Sequence, residues 1–127
     1  MENGRKPNQV RDMSFAFALD AVKTYKEIVR EQREYVLSKQ WLRSATSIGA
    51  NVQEAEHAES RADFTHKHAI ALKEANESRY WMELLYQSGY MSREAYSLLN
   101  DKNIQLIKLL AAIVKKSKLK SENSKEV

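Results

Sequence analysis

Apolar side chains recur at helical spacing along almost the whole chain. Trp41, Ala45, Ile48, Val52 and Ala55 are spaced 4-3-4-3, which stacks them on one helix face. Phe64, His68, Ala71, Ala75, Ser78, Met82 and Leu85 repeat the pattern with mostly small residues. Further on, Ala95, Leu99, Leu106, Leu109 and Ile113 form a third face, with Ile107, Leu110 and Val114 beside it. Near the start, Phe15, Leu19, Val22, Tyr25 and Val29 lie along one side, flanked by Ala18, Ala21 and Ile28. The pattern predicts four helices, at about 14–33, 38–58, 61–88 and from 93 onward.

The punctuation agrees with this division. Ser38 is placed to cap the second helix. Ser60-Arg61-Ala62-Asp63 reads as a capping box with Asp in the acidic position. Gly89 suits a left-handed C-cap after the third helix, and Ser92 an N-cap for the fourth, with Glu94 in its first turn. Each helix is about 20 residues or more, roughly 30 Å long. Short connections force neighbours antiparallel. The expected fold is therefore all-α, an antiparallel up-down-up-down four-helix bundle over residues 14–118, between disordered tails at 1–13 and 119–127.

The second helix carries another stripe, of polar groups: Arg43, Ser44, Ser47, Asn51 and Glu54. Arg43 and Glu54 are three turns apart, so each needs a partner elsewhere, whereas Ser47 and Asn51 are close enough to interact. Gly49 sits mid-helix at a cost of about 1 kcal/mol relative to Ala, which points to a close approach by another backbone. We read Arg43, Ser47, Asn51 and Glu54 as a structural or assembly seam, and the Ala45–Ile48–Val52 face as packed shut. Phe17, Ile70, Leu72, Tyr80, Trp81 and Tyr86 fall off the main stripes, a surplus of apolar surface that points to self-association.

Composition narrows the class. With 127 residues, one proline, three glycines and no cysteine, the chain fits one helical domain without disulfides. Neither a secretory signal nor an apolar run of membrane-spanning length is present, so a cytoplasmic protein is expected, with no membrane partner. The net charge of +4 is unevenly spread. Residues 13–114 carry thirteen basic and thirteen acidic groups, while residues 115–127 hold five lysines against two glutamates. Lys115, Lys116, Lys118 and Lys120, together with Arg43, are candidate nucleic-acid contacts; the plainer reading of the lysines is a solubilising helix end.

Chemistry-bearing motifs are sparse. Glu54-x-x-His57 and Asp63-x-x-His66 resemble half of a helix-bundle metal site, but only Asp20 is available to complete it, so no metal or other cofactor is expected. His68 lies on an apolar face and reads as a core histidine with one hydrogen bond. Tyr80, Trp81, Tyr86 and Tyr90 could stack bases, though packing explains them better. No nucleophile–base pair or phosphate-binding loop exists, so neither enzymatic activity nor a small-molecule substrate is expected.

The run Leu42-Arg43-Ser44-Ala45-Thr46-Ser47-Ile48-Gly49-Ala50-Asn51-Val52-Gln53-Glu54-Ala55 resembles, with one position fewer between Ala45 and Ser47, the signature Leu-Arg-Arg-Ala-x-x-Ser-Ile-x-x-Asn-Ile-x-Glu-Gly. That signature marks the small bacterial bundle proteins encoded in intervening sequences of 23S ribosomal RNA genes, whose relatives include the accessory protein of diversity-generating retroelements. The Ala-rich centre Ala69–Ala75 and the hairpin Gly89-Tyr90-Met91-Ser92 are similar to that family too, extending the likeness over about residues 14–118. Two positions depart: Ser44 replaces the second Arg, and Ala55 the final Gly. The resemblance implies a four-helix bundle that assembles as a homo-oligomeric ring, typically a pentamer. It also implies binding to nucleic acid such as structured RNA, or to DNA or RNA together with a partner protein. The rival reading is a protein-interaction scaffold without a nucleic-acid role.

Overall fold

The computed structural model describes residues 8–126, with side chains through residue 123. Its four helices are α1 (Gln9–Gln32), α2 (Leu37–Ala55), α3 (Arg61–Gln87) and α4 (Arg93–Glu126). Consecutive helices pack on one another and α1 closes on α4, giving the four-helix bundle expected from the sequence.

The boundaries show what the local pattern missed. Of the tail expected at 1–13, residues 1–7 lie outside the described residues; α1 itself begins at Gln9, because the Asn8 side chain accepts from the Arg11 N–H at 3.0 Å. At the other end, α4 continues to Glu126 instead of stopping near 118. No Gly or Pro follows Ser92 to stop it.

Ser38 is not a cap. It lies within α2, fully buried, and its hydroxyl donates to the Glu34 carbonyl. The cap is Glu34, whose carboxylate accepts from the N–H groups of Val36, Leu37 and Ser38 at 2.9, 2.8 and 2.7 Å. The far end of α2 stops at Ala55 rather than 58. The next three N–H groups bond three residues back, tightening the chain into a turn without the family's glycine.

Around α3 and α4 the sequence signals hold. Ser60 accepts from the Asp63 N–H at 3.1 Å, although the Asp63 carboxylate reaches the Glu59 N–H and not that of Ser60. Gly89 adopts φ 86°, and the Tyr90→Leu85 and Gly89→Tyr86 backbone bonds complete a Schellman ending. Ser92 caps α4 by accepting from the Ala95 N–H at 3.1 Å.

The core runs down the bundle axis through Phe17, Trp41, Ile48, Met82, Leu85, Leu106 and Leu110, all essentially free of solvent. Burying each such side chain stabilises the fold by roughly 1.5–3 kcal/mol. The small residues Ala45, Ala71 and Ala75 are at 0 % exposure, so the expected closed packing of α2 on its neighbours is present. Polar groups enter this core singly. The Trp41 indole donates to Ser78 Oγ at 3.1 Å, and Asn103 Nδ2 donates to the Ala75 carbonyl at 2.9 Å.

The buried face of α1 differs from the expected one. It consists of Val10, Ser14, Phe17, Ala21 and Ile28. Phe15 and Leu19, expected in the core stripe, are 64 % and 58 % exposed. Ser14 is the α1 residue that packs over Gly49, its carbonyl oxygen 3.4 Å from where a Cβ on Gly49 would lie. That packing leaves Phe15 and Leu19 outside.

Candidate functional site: the polar seam and the basic helix end

Four members of the α2 polar stripe are satisfied within the chain, two of them across to α3. Arg43 donates to Glu74 at 3.3 Å and also to Glu77. Glu54 accepts from the Lys67 ammonium at 2.7 Å, and this hydrogen bond holds Lys67 above its ordinary lysine pKa. Between these ends, Asn51 Nδ2 donates to the Ser47 carbonyl at 2.9 Å, and Ser47 Oγ donates to the Arg43 carbonyl at 2.6 Å. Ser47 and Asn51 therefore do interact, through backbone oxygen. The arrangement is a row of polar contacts along the α2–α3 junction, partly open to water. Ser44 does not belong to it. Ser44 is fully buried and donates to the Trp41 carbonyl at 3.0 Å, so no cation is missing from the seam at that position.

The basic end lies on α4. Thr65 and Ser117 touch hydroxyl to hydroxyl, which sets the antiparallel register of α3 and α4. Because α3 begins at Arg61, α4 runs several residues beyond the end of its neighbour. Lys115, Lys116, Lys118 and Lys120 are exposed just before this overhang, level with the first turns of α3, and form no ion pair among the described residues. Lys125 lies beyond the described side chains. Arg43, the other candidate phosphate contact, is instead held by two carboxylates.

The remaining candidates resolve into packing. His68 is 4 % exposed and must donate from Nδ1, because its partner at 3.0 Å is the Phe64 carbonyl. Its ring lies 4.4 Å from that of Phe64. Tyr86 stacks on Tyr96 with centroids 4.4 Å apart and planes 7° from parallel. Burial first, then its hydrogen bond to Glu83, pushes the Tyr96 phenol pKa up. Trp81, Tyr86 and Tyr90 pack against the core, whereas Tyr80 is 61 % exposed.

Of the surplus apolar residues named from the sequence, Tyr80 is open, but most of the others are not. Phe17 is core, and Leu72, Trp81 and Tyr86 are partly buried against it. The large open apolar groups also include Phe15 and Leu19, which line a groove of about 690 Å³ with Gly49 and Ala50. The metal-like residues do not converge: Asp20 binds Lys102 at 2.8 Å and Glu54 binds Lys67. Among the described residues no three His, Cys, Asp or Glu side chains are grouped to hold a metal ion. No helix among them is long and apolar enough to cross a membrane.

Fold and seam together define a small helical bundle with a polar α2–α3 junction, an open apolar groove and a lysine-rich helix end. Residues 6–112 match the family described as 23S rRNA-intervening sequence protein, and the chain belongs to that family. A solved structure from Bacteroides thetaiotaomicron, a protein of unknown function from the S23 ribosomal protein family, is similar at 55 % identity and a TM-score of 0.82. The match covers 84 % of this chain and 98 % of that one. No functionally curated protein matches.

Proposed function

We propose that this chain is a non-enzymatic bundle protein that self-assembles and binds nucleic acid, with structured RNA the preferred target. The observation that carries the reading is the α4 end, where Lys115, Lys116, Lys118 and Lys120 are exposed and unpaired among the described residues. The family's name adds the association with ribosomal RNA genes. Each subunit offers only a few phosphate contacts, and the rest of its body is charge-balanced. Self-assembly into a ring, with five subunits implied by the family likeness, repeats those contacts and raises affinity by multivalency. We assign Arg43 to the seam and not to the phosphate contacts, since Glu74 and Glu77 already neutralise it.

The test is RNA binding across a salt series, with the wild type and a variant in which Lys115, Lys116, Lys118 and Lys120 are all Gln. Each lost phosphate contact removes about 0.7–0.9 from the slope of log affinity against log salt. The expected result is a slope shallower by roughly three and a binding loss of at least tenfold at low salt. Absence of binding by the wild type at low salt overturns the nucleic-acid reading and leaves the protein-interaction scaffold.

A further inference from the structure

At the bundle end that carries the α2–α3 turn, one polar atom is left over inside. His68 is 4 % exposed, and its Nδ1 donates to the Phe64 carbonyl. In a neutral imidazole the other nitrogen is then an acceptor. Nε2 has no hydrogen bond among the described residues, yet it is not one of the sealed polar atoms left without a partner there, which are Trp81 Nε1 and Asn103 Oδ1. It therefore still touches open space. His68 lines a cavity of about 170 Å³, and that cavity is where Nε2 opens.

All four helices wall this cavity. Val10 comes from α1, Val52 from α2, Phe64 from α3 and Ile113 from α4. Val10 and Val52 are core residues, and the Phe64 ring lies 4.4 Å from that of His68, tilted by 53°. The other polar side chains here are Asn8 and Glu56, and Arg11 engages both. Its N–H donates to Asn8 Oδ1 and its guanidinium to Glu56, each at 3.0 Å. The chamber thus offers apolar walls and one uncommitted acceptor. A charged guest would be desolvated with no spare counter-charge, whereas an apolar body with one O–H or N–H is matched. Size sets the rest. An engineered apolar cavity of about 150 Å³ takes benzene, so this one admits a single ring with a small substituent.

We infer that this cavity binds a small uncharged phenol-like ring, whose hydroxyl donates to His68 Nε2. Nucleic-acid binding by the α4 lysines neither requires this site nor excludes it.

The probe is phenol, titrated into the full chain, with benzene as the guest that lacks a donor. The readout is the nitrogen NMR signal of His68 Nε2, with the exposed His57 and His66 as internal controls. Phenol is expected to bind saturably and to shift the His68 signal in the direction of an accepted hydrogen bond, leaving both controls in place. Benzene is expected to give no such shift. Ile113→Phe narrows the cavity from a half-buried position and is expected to abolish the phenol shift, with folding checked by circular dichroism. His68→Leu removes the acceptor and keeps the apolar wall; calorimetry is expected to show the ratio of phenol to benzene affinity falling about fivefold, the worth of one net hydrogen bond. Absence of a saturable His68 shift in the wild type overturns the site and needs no variant to read. A shift that survives Ile113→Phe in the folded protein, or an affinity ratio unchanged by His68→Leu, overturns it as well.

Discussion

Replacing Glu34 with Ala removes the N-terminal cap of α2 without touching its core face. Three backbone N–H groups, on Val36, Leu37 and Ser38, then lose an acceptor now held at 2.7–2.9 Å. Val36 is 71 % exposed, so water replaces part of what is lost and no donor is stranded in a dry interior. The loss is therefore that of a good charged cap, about 1–2 kcal/mol, or roughly 4–8 °C in Tm for a chain of this size. Glu34→Gln keeps one acceptor oxygen and should cost about half as much.

The same site has a pH signature. Burial works against the Glu34 charge, but hydrogen bonds from Leu37, Ser38 and Val36 overcome it, and the folded pKa lies below its ordinary value. A lowered carboxylate pKa means that folding favours the charged form. The stabilisation is complete above the unfolded pKa and disappears as pH falls through the folded one. Urea unfolding of the wild type and Glu34→Gln, at matched concentration, should show a difference at pH 7 that shrinks below about pH 4. A Glu34→Ala variant as stable as the wild type at pH 7, or a Gln difference unchanged at about pH 3, would refute the capping argument.

Gly49→Ala should be neutral or stabilising by up to about 1 kcal/mol, because the added Cβ meets Ser14 at 3.4 Å, an ordinary contact, and helix propensity improves. Gly49→Val has no such room; it should push α1 off α2 and cost about 1–3 kcal/mol, read by urea unfolding. Asn103 is fully buried, with Oδ1 unpartnered and one hydrogen bond to the Ala75 carbonyl. Asn103→Leu should accordingly raise Tm, by an amount equivalent to about 1 kcal/mol, whereas Asn103→Ala should lower it by leaving a cavity. A less stable Leu variant would show that the orphaned oxygen is not a cost.

Helix number, order and direction were readable from one dimension. A 4-3 apolar repeat names a buried face wherever the chain offers only one, as at Trp41–Ala55, and caps such as Ser60, Gly89 and Ser92 act within a few residues of where they stand. Asn103 falls in step with Leu99, Leu106 and Leu110 but went unread, because a polar side chain interrupts the apolar stripe. On α1 the pattern favours the stripe through Phe15 and Leu19 and sets Phe17 off it, whereas the structure buries Phe17 and exposes the other two. The packing of α1 on α2 made the choice, seating Ser14 over Gly49 and leaving Phe15 and Leu19 outside. Glu34 escaped notice because a long side chain folding forward onto its own helix start leaves no periodic trace. The partners of Arg43 and Glu54 also lay beyond the local pattern, for ion pairing depends on the register of α2 against α3. Local periodicity records what each helix buries; only packing decides which helix meets which face, and so what remains open to a partner.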